Sequence, residues 1–144
     1  MKRALIALLI IGAVVLVGLQ LIPVNRTNPP VTREIQWDSP ETRALAQRAC
    51  FDCHSNETQY PFYAYIAPPS LLLNSHVAEG RDHMNFSEWD EYFHDFDEIE
   101  EMVTESKMPP WDYLLLHPEA RLSDAEKAQL LAGLEATIAA DPGE

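Results

Sequence analysis

The stretch RACFDCHSNETQYP, residues 48–61, contains both cysteines of this 144-residue chain. Cys50 and Cys53 are separated by two residues, and His54 follows directly. A zinc site would need a second pair of ligands with similar spacing, which the chain lacks. A thioredoxin-like site would follow a β-strand, whereas the residues before Cys50 are typical of a helix. A plain disulfide would give the histidine no role, and C-x-x-C-H is the spacing of a c-type haem attachment site.

The spacing suits covalent haem attachment for a geometric reason. One turn of helix presents Cys50 and Cys53 on the same side, where their thiols can add to the two vinyl groups of a haem. His54 follows at once, so its imidazole points at the iron from the same face. We therefore expect one covalently attached haem c, with His54 as the proximal iron ligand.

The sequence offers several candidates for the second axial ligand of the iron. Met108 is favoured because Pro109 and Pro110 stiffen the loop that carries it, and because a thioether ligand raises the reduction potential. His76, on the apolar face of a predicted helix, is the alternative. His117 ranks third, behind His76. Four further candidates are expected to be surface or core residues: Met84, Met102, His83 and His94.

Three polar residues are candidates for contacts with the haem propionates. They are Asn56, Tyr63 and Arg81, which lie in or after the aromatic stretch that follows the cysteines. Arg81 is one of few cations in an acidic half of the chain, so an ion pair with Asp82 or Glu79 is its other expected role.

The N-terminus predicts a membrane anchor. Residues 4–22, ALIALLIIGAVVLVGLQLI, carry no charge and follow Lys2 and Arg3. A helix of this length spans about 28 Å, close to the thickness of the hydrocarbon core of a bilayer. The basic residues in front place the rest of the chain outside the cytoplasm. An uncleaved anchor is favoured over a cleaved signal peptide, since the run is long and no A-x-A-like site ends it.

The remaining chain divides into a tether and one domain. Residues 23–38 are rich in proline and polar residues, which predicts an extended, semi-rigid tether, and residues 39–140 form the domain. No segment alternates like a strand. We predict an all-α, cytochrome-c-like domain of four or five helices around one covalently bound haem, behind the transmembrane helix.

Individual helix ends can also be predicted. Ser39 is an N-cap before Pro40, and Ser123 with Glu126 forms a capping box. One helix is expected to stop at Gly80 and another to begin at Ser87. The amphipathic helix after residue 95 is expected to bury four side chains on one face: Phe96, Ile99, Met102 and Val103.

The charge is strongly acidic. Ten basic residues stand against 23 acidic ones, giving a net charge of −13. This balance excludes nucleic acid as an expected partner. The acids concentrate between Glu79 and Glu105, where they predict a solvated helix face, a docking surface for a basic redox partner, or both.

Four blocks of sequence, in order, resemble the small haem-binding domain family of bacterial c-type cytochromes. They are CFDCHSNET at 50–58, PFYAYIAPPSLL at 61–72, HVAEGRDHMNFSEW at 76–89 and MPPWDYLLLHPEARLS at 108–123. Phe62 and Leu71 stand where the family pattern has tryptophan. The resemblance implies haem attachment at Cys50 and Cys53 and proximal ligation by His54. It leaves the second axial ligand open, because Met108 and His76 both lie in matching blocks.

These observations predict a membrane-anchored electron carrier on the periplasmic side of a bacterial inner membrane, not an enzyme. Two alternatives stay open. The haem could have a labile sixth ligand, as in a peroxidase or gas sensor. The protein could also be the haem subunit of a larger membrane electron-transfer complex.

Overall fold

The predicted all-α fold is confirmed. The computed structural model describes residues 1–91 and 95–143, and within these residues the regular elements are helices, with no strand. Arg33 and Glu88 form an isolated β-bridge. The α-helices are α1 (Lys2–Gln20), α2 (Pro40–Ala49), α3 (Phe51–His54), α4 (Pro69–His83), α5 (Phe96–Thr104), α6 (Trp111–Leu114) and α7 (Asp124–Ala140). Short 3₁₀ turns cover Phe62–Tyr65, Trp89–Glu91 and Pro118–Ala120.

The predicted helix caps are confirmed. The Ser39 side chain accepts a hydrogen bond from the Thr42 backbone N–H at the start of α2. At the start of α7, Ser123 and Glu126 bond to each other's backbone as a capping box. Each cap satisfies backbone donors that the first helical turn leaves without partners.

Two predicted helix ends are wrong. Helix α4 continues past Gly80 to His83, because Gly80 is a packing position inside the helix and not its end. Ser87 does not begin a helix; it is buried, and its hydroxyl accepts a hydrogen bond from the Asn56 N–H at 3.0 Å. Residues 92–94 of that predicted helix lie outside the described part of the chain.

Stacked aromatic rings form the centre of the core. Phe51 stacks on Phe86 with ring centroids 5.5 Å apart, and Phe86 stacks on Trp89 at 6.0 Å. Leu130 and Leu134 of α7 complete this cluster. Phe51 lies between the two cysteines in the sequence, so its burial fixes the α3 turn to the core.

The segment predicted as a tether packs along the domain. It has no helix, as expected, but Ile35 is a core residue whose N–H donates to the Phe86 carbonyl at 3.2 Å. The Asp141 carboxylate accepts from Arg33 Nη2 at 2.6 Å and from the Gln36 N–H at 2.9 Å. Burying an isoleucine side chain stabilises a fold by about 2 kcal/mol, so the end of this segment belongs to the domain.

A glycine allows α7 to lie directly against α2. A Cβ atom at Gly133 would lie 2.0 Å from Thr42 Oγ1 and 2.7 Å from Thr42 Cγ2. Thr42 is buried and cannot swing away. The contact therefore tolerates only a hydrogen at this position.

Replacing this glycine tests the packing of the two helices. We expect Gly133→Ala to lower the free energy of unfolding by about 1–2 kcal/mol, because overpacking outweighs the gain in helix propensity. Thr42→Ala should cost less in the Gly133→Ala background than in the natural chain, since it removes the two closest atoms. Thermal unfolding of the four proteins measures this coupling, and strictly additive effects would contradict the contact.

Candidate functional site

The two cysteines and the histidine lie on one helical turn. Cys50 is the N-cap of α3, and its carbonyl accepts hydrogen bonds from the N–H groups of Cys53 at 3.1 Å and His54 at 2.9 Å. Both cysteines are free thiols. With Phe51 buried in the core, Cys50, Cys53 and His54 line a neighbouring cavity. The geometry expected from the C-x-x-C-H spacing is therefore present.

This cavity has a volume of about 440 Å³, within the size range of ligand sites in proteins. Its walls come from α3, from the second half of α4, from α5 and from the loop before α6. Apolar side chains line much of it; they include Ala49, Ile99, Met102, Val103, Pro109, Pro110, Leu122 and Leu130.

His54 is held in a state that can bind a metal. Its Nδ1 lies 3.1 Å from the Met84 carbonyl oxygen, which can only accept, so Nδ1 carries the proton and donates. Burial lowers the pKa of His54 despite this bond, which favours the neutral imidazole. The lone pair of Nε2 is then free, and the backbone partner fixes the ring orientation.

The two thiols are uncharged in the folded chain. Burial, with a smaller contribution from the nearby Cys53, raises the pKa of Cys50 to about 12. Burial also raises the pKa of Cys53 to about 12, with a second contribution from the charge of Asp52. Neutral thiols are compatible with an apolar cavity, whereas thiolates would not be.

The structure brings Met108 and His76 to the same cavity as His54. Met84, Met102 and His83 line it as well. The prediction that Met102 faces the core is wrong: it is half-buried on the α5 face that forms a cavity wall. His83 is exposed, as expected.

His117 is not on the cavity wall, and His94 lies outside the described residues. The His117 ring stacks on Tyr113 with centroids 4.2 Å apart. Its Nδ1 donates to Glu119 at 3.2 Å, so its Nε2 accepts from the Tyr63 hydroxyl at 2.6 Å. Both ring nitrogens are thus engaged away from the cavity.

The end of α5 positions Met108. Ser106 adopts a left-handed conformation with φ of 57°. Its N–H donates to the Val103 carbonyl at 3.2 Å, and the Lys107 N–H donates to Met102 at 2.9 Å. This pair of bonds is a Schellman motif, which ends a helix and reverses the chain. Met108 follows directly and is brought to the cavity.

The three propionate candidates do not line the cavity. Arg81 Nε donates to the Ser55 carbonyl at 2.8 Å, and Arg81 Nη2 donates to Asn28 Oδ1 at 2.8 Å. The Asn56 side chain donates to the Pro30 carbonyl and accepts from Asn85, while Tyr63 bonds to His117. Arg81 and Asn56 bind the segment between α1 and α2 to the loop after α3. A propionate contact stays a prediction for Arg81, Asn56 and Tyr63.

Sequence reasoning missed two residues that position the site. A Cβ atom at Gly80 would lie 2.5 Å from the Cys53 carbonyl oxygen and 2.9 Å from Cys53 Cβ, so only glycine lets α4 approach α3 this closely. The Tyr113 hydroxyl donates to Asp52 at 2.7 Å, which joins α6 to the C-x-x-C-H turn. The sequence signal for Gly80 was a glycine inside a helical segment. The sequence carries no such signal for the contact between Tyr113 and Asp52.

A known protein family matches most of the chain. The model of a family described as a haem-binding domain matches residues 14–136. The chain belongs to the haem-binding domain family. The match includes α3, the residues that line the cavity and the segment between α1 and α2. No curated protein and no solved structure matches the chain.

The residues of this haem-binding domain fit the haem that the family implies. The cavity offers apolar walls, two neutral thiols on one helical turn and an imidazole whose second nitrogen is fixed by a backbone carbonyl. An apolar cavity and an oriented imidazole are features of haem ligation in proteins.

Gly80 provides a test of the site's construction. In Gly80→Ala, the new methyl group collides with backbone atoms that cannot rotate away, so we expect a stability loss of about 1–3 kcal/mol. The yield of haem-loaded protein should fall, since α4 and α3 form adjoining cavity walls. Thermal unfolding and the haem-to-protein ratio measure both effects. Asp82→Ala, at an exposed position of the same helix, is the matched control, and equal values for the two variants would contradict the assignment.

Proposed function

We propose that this haem-binding domain is a membrane-anchored monohaem c-type cytochrome that carries electrons on the outer side of the cytoplasmic membrane. The observation that carries the proposal is the placement of Cys50, Cys53 and His54 on one turn of helix facing an apolar cavity. The walls of this cavity also offer thioether and imidazole groups for the second axial position. Helix α1 is long and apolar enough to cross a membrane, by length and composition.

Cys50, Cys53, His54 and Met84 each have a defined role in this proposal. Bound haem supplies a reversible one-electron iron couple. Cys50 and Cys53 would hold the macrocycle as thioethers, and His54 would bind the iron through Nε2. The Met84 carbonyl keeps the His54 ring oriented. The apolar walls exclude water and so limit the reorganisation that accompanies a change of charge.

Met108 is the proposed second axial ligand. It is fixed from both sides, by the Schellman motif that ends α5 and by Pro109 and Pro110. A stiff loop lowers the entropy cost of holding a weak thioether ligand. His76 on α4 is the alternative.

Two methionines of the same cavity permit a matched test. We expect ferric natural protein to show a weak sulfur-to-iron charge-transfer band at the red end of the visible spectrum. Met108→Ala should abolish the band, whereas Met102→Ala, which removes the same group from another wall, should retain it. Loss of the band in Met102→Ala alone would assign the ligand to Met102. Absence of the band in the natural protein would move the assignment to His76.

One observation favours the labile-ligand alternative. Met108 remains 39% exposed, and two imidazoles, His76 and His83, lie on the cavity wall where they could exchange protons with a bound small molecule. A peroxidase or gas sensor would use such an arrangement. Rapid binding of carbon monoxide to the ferrous natural protein supports this reading, and a six-coordinate spectrum that carbon monoxide leaves unchanged supports electron transfer.

Carboxylates surround the cavity. Asp52, Glu79, Asp95 and Glu98 line it, and its described lining residues include no lysine or arginine. Ferric haem carries one more positive charge than ferrous haem, so nearby carboxylates stabilise the oxidised state and lower the reduction potential.

Neutralising one carboxylate should therefore raise the potential. For Glu98→Gln we expect a change of about 1 kcal/mol, or roughly 40 mV for one electron, at low ionic strength. Glu41→Gln, at the exposed start of α2, is the control for a general loss of charge. A redox titration measures the midpoint potentials, and equal shifts in both variants would show that position on the cavity wall has no effect.

The surface beside the cavity suits a redox partner. Trp111, Leu115 and Leu116 are exposed on and after α6, next to the prolines of the cavity wall. Helix α5, on another wall, exposes several acids. Apolar contact beside an acidic rim fits a partner with a basic docking surface, whose association would slow as salt is added. Copurification of other subunits after gentle solubilisation would instead support the larger complex.

A further inference from the structure

A long uncharged stretch interrupts this acidic chain. Residues 58–78 contain no aspartate, glutamate, lysine or arginine, although the chain carries 23 acidic residues. The stretch forms the 3₁₀ turn Phe62–Tyr65 and the first part of α4. Four of its large side chains are exposed: Phe62 at 77%, Tyr65 at 61%, Ile66 at 51% and Leu72 at 51%. We call these four residues the apolar face.

The apolar face is bound to the segment that leaves α1. The Gln20 side chain, in the last turn of α1, donates to the Ala67 carbonyl at 3.1 Å and accepts from the Ala67 N–H at 3.2 Å. Ala67 is the residue after Ile66. The end of the apolar helix is therefore held at the apolar face itself.

Two further contacts hold the next residues of the chain against the same elements. The Asn25 N–H donates to Asn74 Oδ1 at 2.8 Å, and Asn74 lies two residues after Leu72 in α4. The Arg26 guanidinium lies over the Tyr65 ring, 4.9 Å from its centroid. The chain thus leaves α1 along this face over several residues, and not through a free linker.

We propose that the apolar face lies in the lipid headgroup region of the membrane that α1 spans, and so sets the orientation of the domain. The proposal rests on the proposed membrane anchor. The end of a membrane-spanning helix lies at the interface, and its direct contact with Ala67 brings Phe62, Tyr65 and Ile66 to the same depth. Aromatic rings are the side chains most enriched at that depth.

The charge distribution also favours the apolar face as the surface that contacts the membrane. Bacterial inner membranes expose anionic headgroups, which repel the acidic domain of a chain with a net charge of −13 unless an uncharged surface approaches. The apolar face is such a surface, and Arg26 beside Tyr65 adds a cation that can bind a lipid phosphate. Exposed apolar side chains bury part of their area among the lipids, which favours this orientation further.

A photo-crosslinking experiment tests the proposal on the full chain with its haem. The protein is reconstituted in nanodiscs of phosphatidylethanolamine and phosphatidylglycerol, with p-benzoylphenylalanine in place of Phe62 or, in a second variant, of Leu72. The control places the same probe at Ala136, an exposed position of α7, which packs on α2 and α5. After irradiation, mass spectrometry of the peptides measures lipid adducts.

We expect roughly tenfold more lipid adduct at positions 62 and 72 than at position 136, because only the first two would reach the headgroups. Adducts with a second copy of the chain at these positions, or equal lipid adducts at all three, would overturn the proposal. Flotation of the nanodiscs distinguishes the proposed orientation of the apolar face from the proposed membrane anchor. A chain that floats without lipid adducts at 62 and 72 contradicts the orientation alone, whereas a chain that does not float contradicts the anchor as well.

Discussion

The close approach of α4 to α3 is the constraint on which the haem site depends. Gly80 faces the backbone of Cys53 at a distance that excludes any side chain. This contact makes the second half of α4 a cavity wall and brings His76 and His83 to the same space as His54. The helix then ends at His83, and the carbonyl of the next residue, Met84, orients the His54 ring. One glycine thus couples the turn that carries Cys50, Cys53 and His54, a wall of the cavity and the backbone partner of the His54 imidazole.

Local sequence signals predicted much of this architecture, and tertiary contacts account for what they missed. The caps at Ser39 and Ser123 act within one turn of helix, so residue type and spacing are sufficient to find them. The same holds for C-x-x-C-H. Gly80 was misread as a helix end because the energetic reason for a glycine there lies in α3, 27 positions earlier in the printed sequence. Met102 shows a related limit: an amphipathic pattern identifies the face that avoids water but does not distinguish a core from a cavity.

The segment between α1 and α2 shows that a polar, proline-rich composition does not exclude packing against the domain. Its prolines and asparagines are typical of a linker, yet its backbone pairs with Ser87 and Phe86, and its side chains are bound by Arg81 and Asp141. These partners lie far away in the sequence, so no local pattern reports them. The consequence is mechanical. Under the proposed membrane anchor, a free tether would let the domain tumble above the membrane, whereas a segment fixed along its length would transmit the position of α1 to the haem cavity.

The distribution of charge joins the two ends of this arrangement. In the proposed function, carboxylates on the cavity wall would stabilise an oxidised iron, and acids on α5 would favour a basic partner. The same acids would drive the domain away from anionic lipids, so a protein with this charge needs one surface from which acids are missing. Residues 58–78 supply that surface beside the end of α1. Under these proposals, lowering the reduction potential and keeping the domain at the membrane place opposite demands on charge, and the separation of acidic and uncharged surfaces would meet both.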